Sequence, residues 1–332
     1  MSSRHKATAV AHPNIALVKY WGKRDERLVL PHQSSLSVTL GQLEVSTTVE
    51  FGVEQDEVTL QGKPAQEKER ARVIEMLQRL RERASERLGA ARVSSVANFP
   101  AAAGLASSAA GFAALAVAVR AAAGLPFDVR EASILARLGS GSACRSIQGG
   151  FCVWRRGQAP DGSDSYASQL FSEAHWPDLR LLVTILSGEK KEITSREGMK
   201  HTVETSPYYS AWVQDAEAEV ARATERIRDR DLAGVGNISE RNAWRMHAAA
   251  LGADPAICYL HPETLRMVLA LEQERRRGLP AWFTLDAGPN PVLLTDADHL
   301  SAVEALVARV GAQRSIACGV GTDARLSEAH LF

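Results

Sequence analysis

Along the chain, apolar positions switch between a period of two and a period of three to four, and each switch marks an element. Residues 45–53, VSTTVEFGV, alternate with period two and are followed across a short polar turn by DEVTL, which predicts a half-buried antiparallel hairpin. In RARVIEMLQRLRERASERLG, Val73, Leu77, Leu80, Ala84 and Leu88 recur at three or four with Gly89 as a stop, so a helix is expected. RVSSVAN reads as a strand running straight into NFPAAAGLASSAAG (residues 98–111), and from there into an Ala-rich helix ending near Gly124 and Pro126. A shorter helix over 129–138 reaches a second small-residue loop, GSGSACRS, and GGFCVWRRG and DLRLLVTIL read as strands. The charged SGEKKEITSREGMKHTVETSP that follows reads as a lid or a domain crossing. Beyond Pro207 the amphipathic period predicts helices over 215–228, 232–251 and 263–277. AWFTL and VLLTD read as strands around DAGPNP, a helix covers 300–310, and RSIACGV gives a last strand.

Strands mix with helices without the strict alternation of a doubly wound parallel sheet, which with the early hairpin predicts an α+β fold. A soft boundary near residue 187 divides it into units of 1–187 and 188–332 that share a cleft. At 332 residues and 45% hydrophobic content the chain can bury a sizeable core. Lys plus Arg and Asp plus Glu both total 39, so there is no global attraction to nucleic acid or an anionic membrane, and any anion site must be local. No signal-peptide pattern and no apolar run of membrane-spanning length is present, which makes a cytoplasmic location the expectation. Cys144, Cys152, Cys258 and Cys318 have no paired spacing, so four buried or half-buried thiols are expected rather than disulfides or a zinc site.

Four segments carry candidate chemistry. The small residues between a strand and a helix at 98–111 would let backbone N–H groups approach a phosphate, with the helix dipole adding to the attraction. No Walker motif occurs, so Ser107 and Ser108 must supply any hydroxyl contacts; a tightly packed Ala/Gly helix start is the competing reading. GSGSACRSIQGG repeats the device with Ser140, Gly141, Ser142 and the fixed cationic fork of Arg145, against which stands a turn with a capping serine and a solvated arginine. KYWGKRDERLVLP gathers Lys19, Lys23 and Arg24 about Tyr20 and Trp21, and Lys190, Lys191, Arg196 and Lys200 form a second basic group; each is also readable as a solvated face. Asp286 ends an apolar strand and opens a Gly/Pro turn, where it could act on a proton or simply cap its own backbone. The histidines do not cluster, no G-x-S-x-G elbow is present, and GVGTDA near the C-terminus lacks the surroundings of a dinucleotide loop.

Taken together and in order, NIALVKYWGKRDERLVLP, SSLSVTL, NFPAAAGLASSAAGFAAL, GSGSACRSIQGGF, SREGM and FTLDAGPN resemble the mevalonate diphosphate decarboxylase branch of the GHMP kinase superfamily across nearly the whole chain. Ala106 in GLASSAA is the decarboxylase-like form where the true kinases typically carry Gly. The resemblance implies a ribosomal-S5-domain-2-like N-terminal half and a ferredoxin-like C-terminal half around one deep cleft, in a homodimer. It implies ATP-dependent, Mg²⁺-assisted conversion of (R)-5-diphosphomevalonate to isopentenyl diphosphate, ADP, phosphate and carbon dioxide. By the same resemblance Asp286 is the catalytic aspartate beside the tertiary hydroxyl, and Arg145 holds the substrate carboxylate with Asn14 nearby. Ser140, Gly141, Ser142, Ala143 and Cys144 surround the substrate; Tyr20, Trp21, Gly22, Lys23, Arg196 and, less closely matched, Arg72 lie around its diphosphate. Asn98, Ala103, Gly104, Leu105, Ala106, Ser107 and Ser108 would hold ATP, with Lys190 reaching from the lid and Ser107 offered to the metal.

The chain departs from the family at His32 and Gln33, where relatives commonly show a small or apolar residue and then Asn, and in the looser GVGTDARL. Three rivals remain at this stage: a decarboxylase of the 5-monophosphate, a kinase that stops at the 3-phosphate, and a silent nucleotide-binding protein on the same scaffold.

Overall fold

The computed structural model describes residues 5–82, 88–99, 107–188 and 191–332. A six-stranded sheet runs in the order β16 (Arg325–Ser327), β1 (Lys6–Ala11), β6 (Val45–Val53), β9 (Ala90–Ala97), β7 (Glu57–Leu60), β8 (Lys63–Pro64). The expected hairpin is corrected here: β9 lies between β6 and β7, pairing antiparallel with the first and parallel with the second. Alternation fixes which face of a strand is buried but not which strand lies beside it. A parallel pair needs a crossover, and α1 (Glu67–Arg81) supplies it between β7 and β9. A capping box of Gln66 and Glu69 starts α1, which buries Val73, Met76, Leu77 and Leu80; Ala84 of the expected helix lies outside the described residues. The Ala-rich α2 (Ser107–Ala122) is buried on nearly every side against β1 and β6, as a helix without a polar face must be.

A second sheet has the order β11 (Ala167–Phe171), β10 (Phe151–Trp154), β5 (Ser35–Thr39), β2 (Asn14–Val18). The third has the order β13 (Trp282–Thr284), β14 (Val292–Asp296), β12 (Leu179–Ile185), β15 (Arg314–Cys318). A small ribbon of β3 (Lys23–Asp25) and β4 (Leu30–Pro31) completes the strands. The remaining helices are α3 (Val129–Gly139), α4 (Ser195–Thr205), α5 (Tyr209–Arg228), α6 (Leu232–Leu251), α7 (Pro262–Arg276) and α8 (Leu300–Val310).

The third sheet draws β12 from before residue 187, and β16 returns from the C-terminal end to the first sheet. One continuous core joins Ile15, Leu36, Val38 and Phe151 of the second sheet to Leu181, Val183, Trp282 and Leu294 of the third, with Val235 and Ile238 of α6 between. The two halves are therefore packed together along the line where β2, β13 and α6 meet. The charged stretch expected as a lid contains α4, whose start is fixed by a capping box of Thr194 and Glu197 and whose Gly198, Met199 and Thr202 are buried. Of the four free thiols, Cys144, Cys152 and Cys318 are buried, but Cys258 is exposed, contrary to expectation.

Gly22, between Trp21 and β3, has φ +94°, and a Cβ there would lie 2.0 Å from Tyr209 Oη and 2.6 Å from Val203 Cγ2. Tyr209 Oη donates to the Trp21 carbonyl at 2.9 Å, so this contact ties the loop after β2 to α5. Gly22→Ala should lower the unfolding free energy in a urea titration by about 2–3 kcal/mol, because it adds overpacking to a left-handed backbone.

Candidate active site

β2 is an edge strand, and its register against β5 slips between Ala16 and Val18, so that Leu17 is an extra residue. Such a bulge re-aims the chain. The Ala16 carbonyl here accepts from Thr284 Oγ1 at 2.9 Å and from Lys19 Nζ at 2.8 Å. Lys19 follows directly, 1% exposed, and its ammonium donates to Asp286 Oδ1 at 2.6 Å. Asp286 lies just past β13, in the turn where the Gly288 N–H bonds back to its carbonyl at 2.7 Å. Its side chain is 39% exposed, so the carboxylate is backed by a buried ammonium and faces outward.

Burial alone would raise the Asp286 carboxyl, but the charge and hydrogen bond of Lys19, with Lys191 and Arg145 behind them, hold it below the usual carboxylate range. Burial also pulls Lys19 below the usual lysine range, opposed by Asp286. His247 Nε2 lies 3.1 Å from the Asp286 carbonyl. Burial, then Lys19, pushes this histidine down to about 4, so the ring is neutral and donates to that carbonyl.

Arg145 sits in the 3₁₀ turn Gly141–Ser146, 2% exposed. Its Nε donates to Asn14 Oδ1 at 3.2 Å and its Nη1 to Ser35 Oγ at 2.6 Å. Asn14 in turn donates to the Ser142 carbonyl and to Ser146 Oγ. Among the described residues no carboxylate forms an ion pair with Arg145, although burial works against its charge. A buried guanidinium held by neutral oxygens is a receptor for an anion from outside. Ala143 and Cys144 are packed in the wall behind it, and burial pushes the Cys144 thiol up to about 12, which leaves it un-ionised.

A second cationic group lies around Tyr20. Its ring packs 4.6 Å from Trp154, Gly141 leaves room for it (a Cβ there would be 2.8 Å from the ring), and its hydroxyl has no hydrogen-bond partner among the described residues. Lys23 is buried and paired with Glu26. Arg72 donates to the Gly139 carbonyl at 2.7 Å and lies over the Phe112 ring, leaving its Nε without a partner among the described residues. Burial, then Arg196, brings Arg72 down to about 10. Arg196, exposed at the start of α4, also acts on Tyr20 and Lys23, so all four groups face one region. Trp21 is buried, its Nε1 without a partner among the described residues.

The two small-residue segments meet: Ser108 Oγ in the first turn of α2 lies 3.5 Å from Ser140 Oγ. Ser107, the first residue of α2, is half-buried. Asn98 closes the turn before β6, bonded to the Gln42 carbonyl and the Glu44 N–H. Ala103, Gly104, Leu105, Ala106 and Lys190 lie outside the described residues. No group of three His, Cys, Asp or Glu side chains suited to a metal occurs among the described residues. The Ser107 hydroxyl at a helix start fits a hard cation that arrives with phosphate oxygens already around it.

Sequence reasoning left Lys19, Ser35, Lys191, Asn242 and His247 out of the site. Lys19 was one charge in a run. Ser239, Asn242 and His247 did leave a signal, since all three are polar side chains buried on α6 in an otherwise apolar face. A hollow of about 470 Å³ opens on the other face of α6, lined by Asn237, Arg241, Trp244 and Ala248.

Because Asp286 is depressed in the fold, its ionisation contributes stability that is present above the unfolded value near pH 4 and lost as pH falls through the folded value. In Lys19→Met, burial would dominate and the carboxyl would rise, reversing the sign. The gap in unfolding free energy between the parent and Lys19→Met should widen from about pH 4 to about pH 7 in urea titrations. A gap independent of pH would show that Lys19 does not set this charge.

Residues 11–167 match the diphosphomevalonate decarboxylase-like N-terminal domain, and residues 181–324 match the mevalonate 5-diphosphate decarboxylase C-terminal domain. The chain is 39% identical over 330 residues to the diphosphomevalonate decarboxylase of Ganoderma lucidum, covering 92% of this chain and 82% of that one. It is 39% identical over 319 residues to the human diphosphomevalonate decarboxylase, covering 90% and 79%. Among solved structures, the mevalonate diphosphate decarboxylase of Enterococcus faecalis superposes with a TM-score of 0.90 at 38% identity, covering 98% of this chain and 99% of that one. A structure solved in complex with MVAPP, AMPPCP and magnesium superposes with a TM-score of 0.91 at 38% identity, with the same coverage. Similarity spanning both halves of the chain and about four-fifths or more of each relative places this chain in the diphosphomevalonate decarboxylase family.

Proposed function

We propose that the chain carries out ATP-dependent decarboxylation of (R)-5-diphosphomevalonate to isopentenyl diphosphate, releasing ADP, phosphate and carbon dioxide. One observation carries this reading: a carboxylate held below its usual range stands near a buried guanidinium that has no ion-pair partner among the described residues. A substrate bearing a tertiary hydroxyl and a carboxylate on neighbouring carbons presents the two complementary groups. Asp286 receives the hydroxyl and Arg145 the carboxylate, with Asn14, Ser140 and Ser142 at its side.

A carboxylate below its usual range is too weak a base to deprotonate an alcohol beforehand. Asp286 therefore orients the hydroxyl and takes its proton late, as the oxygen bonds to the γ-phosphorus of ATP and the bond to ADP breaks. Phosphate then leaves carbon 3 with the electron pair of the C–O bond. The bond to the carboxylate breaks, its pair becomes the new C=C bond, and carbon dioxide departs. Arg145 favours the substrate carboxylate in place, while its desolvated surroundings keep water from the cation-like centre.

Tyr20, Lys23, Arg72 and Arg196 are the groups for the terminal diphosphate, with Trp21 and Gly22 shaping that end. The nucleotide lies along the start of α2, at Ser107 and Ser108, together with residues 103–106 and Lys190. Mg²⁺ at Ser107 would neutralise phosphate charge. In this reading the segment up to residue 187 supplies the phosphate-facing loops and Arg145, and the segment from residue 188 supplies Asp286. A homodimer is part of the same proposal and rests on likeness to the family; a cytoplasmic location is carried with it as the expectation of the sequence.

The deciding assay supplies Mg²⁺ and ATP with mevalonate, its 5-phosphate or its 5-diphosphate, and measures ADP and trapped carbon dioxide. Equal ADP and carbon dioxide from the 5-diphosphate alone is the expected result. Preference for the 5-phosphate would move the substrate, and ADP without carbon dioxide would make the protein a kinase. Asp286→Asn should lower kcat by about a thousandfold or more, while Arg72→Met should act mainly on KM for the diphosphate.

A further inference from the structure

The two members of the Lys19–Asp286 pair come from opposite halves of the molecule, one at the end of β2 and one after β13, yet a single helix touches the main chain of both. Asn242 of α6 accepts from the Lys19 backbone N–H through Oδ1 at 2.8 Å. Five residues on, His247 bonds the Asp286 carbonyl. Asn242 is wholly buried, and His247 nearly so. On the other side of the same Lys19 peptide, Gln33 Nε2 donates to the Lys19 carbonyl at 2.9 Å, so residue 19 is held at both ends.

The orientation of the Asn242 amide is itself imposed. Its Nδ2 points at Glu219 Oε2, 3.5 Å away, and Glu219 is a fully buried acid on α5. The other Glu219 oxygen accepts from Arg222 at 2.6 Å and Arg241 at 2.8 Å. Burial alone would raise Glu219, but those arginines hold it below the usual range, so it stays an acceptor. An acceptor there forces the amide nitrogen of Asn242 towards Glu219 and its oxygen towards Lys19.

We infer that α6 is a positioning bracket for the catalytic pair: Asn242, oriented by Glu219, seats Lys19, and His247 seats Asp286, so that one rigid helix sets their separation. This rests on the proposed reaction for its kinetic consequence but not for its geometry. A helix fixes two groups more closely than two loops can, and a displacement of about 1 Å at a reacting group can cost about a hundredfold in rate.

The groups facing Asp286 are Lys19 after β2, Lys191 before α4, Arg145 in the 3₁₀ turn and His247 on α6. Loosening the bracket weakens the nearest of these, so the acid limb of kcat should move upward while KM for ATP holds. Asn242→Ala and His247→Phe should each lower kcat at least about tenfold with that shift. His247→Gln, which keeps a donor, should recover most of the loss. Glu219→Gln alone should lower kcat, and adding Asn242→Asp should restore it, since the acid and the amide then exchange places. If Asn242→Ala fails to fold, this exchange carries the test. Crystal structures of the variants without any substrate should show Lys19 Nζ beyond hydrogen-bond reach of Asp286 in Asn242→Ala and back within it in the double variant. Parent-like kcat, acid limb and separation in folded Asn242→Ala and His247→Phe would overturn the bracket. A parent protein that turns over none of the three mevalonate substrates would overturn the proposed function, and the separations would still decide the bracket.

Discussion

A lysine ammonium removed from water must find an acceptor or lose its proton, and Lys19 finds its acceptor in the other half of the molecule. Much of the local structure follows from that requirement. The bulge at Leu17 turns the Ala16 carbonyl towards the ammonium, and Thr284 reaches the same carbonyl from β13, so the sheet of one half is sewn to the sheet of the other beside the ion pair. Buried pairs of this kind are poor sources of net stability, because desolvation cancels most of the attraction. What the pair does supply is a defined charge: it holds a partly enclosed carboxylate below the usual range where burial alone would raise it.

Beyond that pair, the site is short of negative charge. The chain balances 39 cationic against 39 acidic side chains, but not locally. Around α5 and α6 the arginines are matched by Asp215 and Glu219, while Arg145 and Arg196 form no ion pair among the described residues and Arg72 is spent on a carbonyl and a ring. A polyanion entering this region meets donors already desolvated and already oriented, so it pays little reorganisation cost on arrival. Neutral overall charge and a strongly cationic site are compatible for this reason, and composition could exclude only a global basic surface.

The amphipathic helices were legible because a helix of that kind buries one stripe, and the stripe is written in the spacing of its apolar residues: Val73, Leu77 and Leu80 of α1 all face the core. Strand partners were not. The alternation in β6 and β7 says which side chains go inward, and nothing in it says that β9 will come between them after a helical crossover. β11 and β16 escaped because they are short and mostly half-exposed, with little apolar signal. At the site, Arg145 and Asp286 were visible through the resemblance of whole segments, since each alone is an ordinary turn residue. Lys19 was hidden by its neighbours, for a buried lysine and a solvated one look the same in a charge run.

Asn242 and His247 show what kind of signal was passed over. A helix whose core-facing stripe contains an amide and an imidazole gives up apolar contact at both positions, and a buried polar group is tolerated only where a partner has been provided. The partners here are main-chain groups of two loops far apart in the sequence. The charge of Asp286 therefore depends on the seating of one half of the molecule against the other. If β2 and β13 drew apart, Lys19 would leave its carboxylate, and the pull that holds Asp286 below the usual carboxylate range would weaken. Packing between the halves and readiness for chemistry are in this way one property, held at the level of two hydrogen bonds from α6.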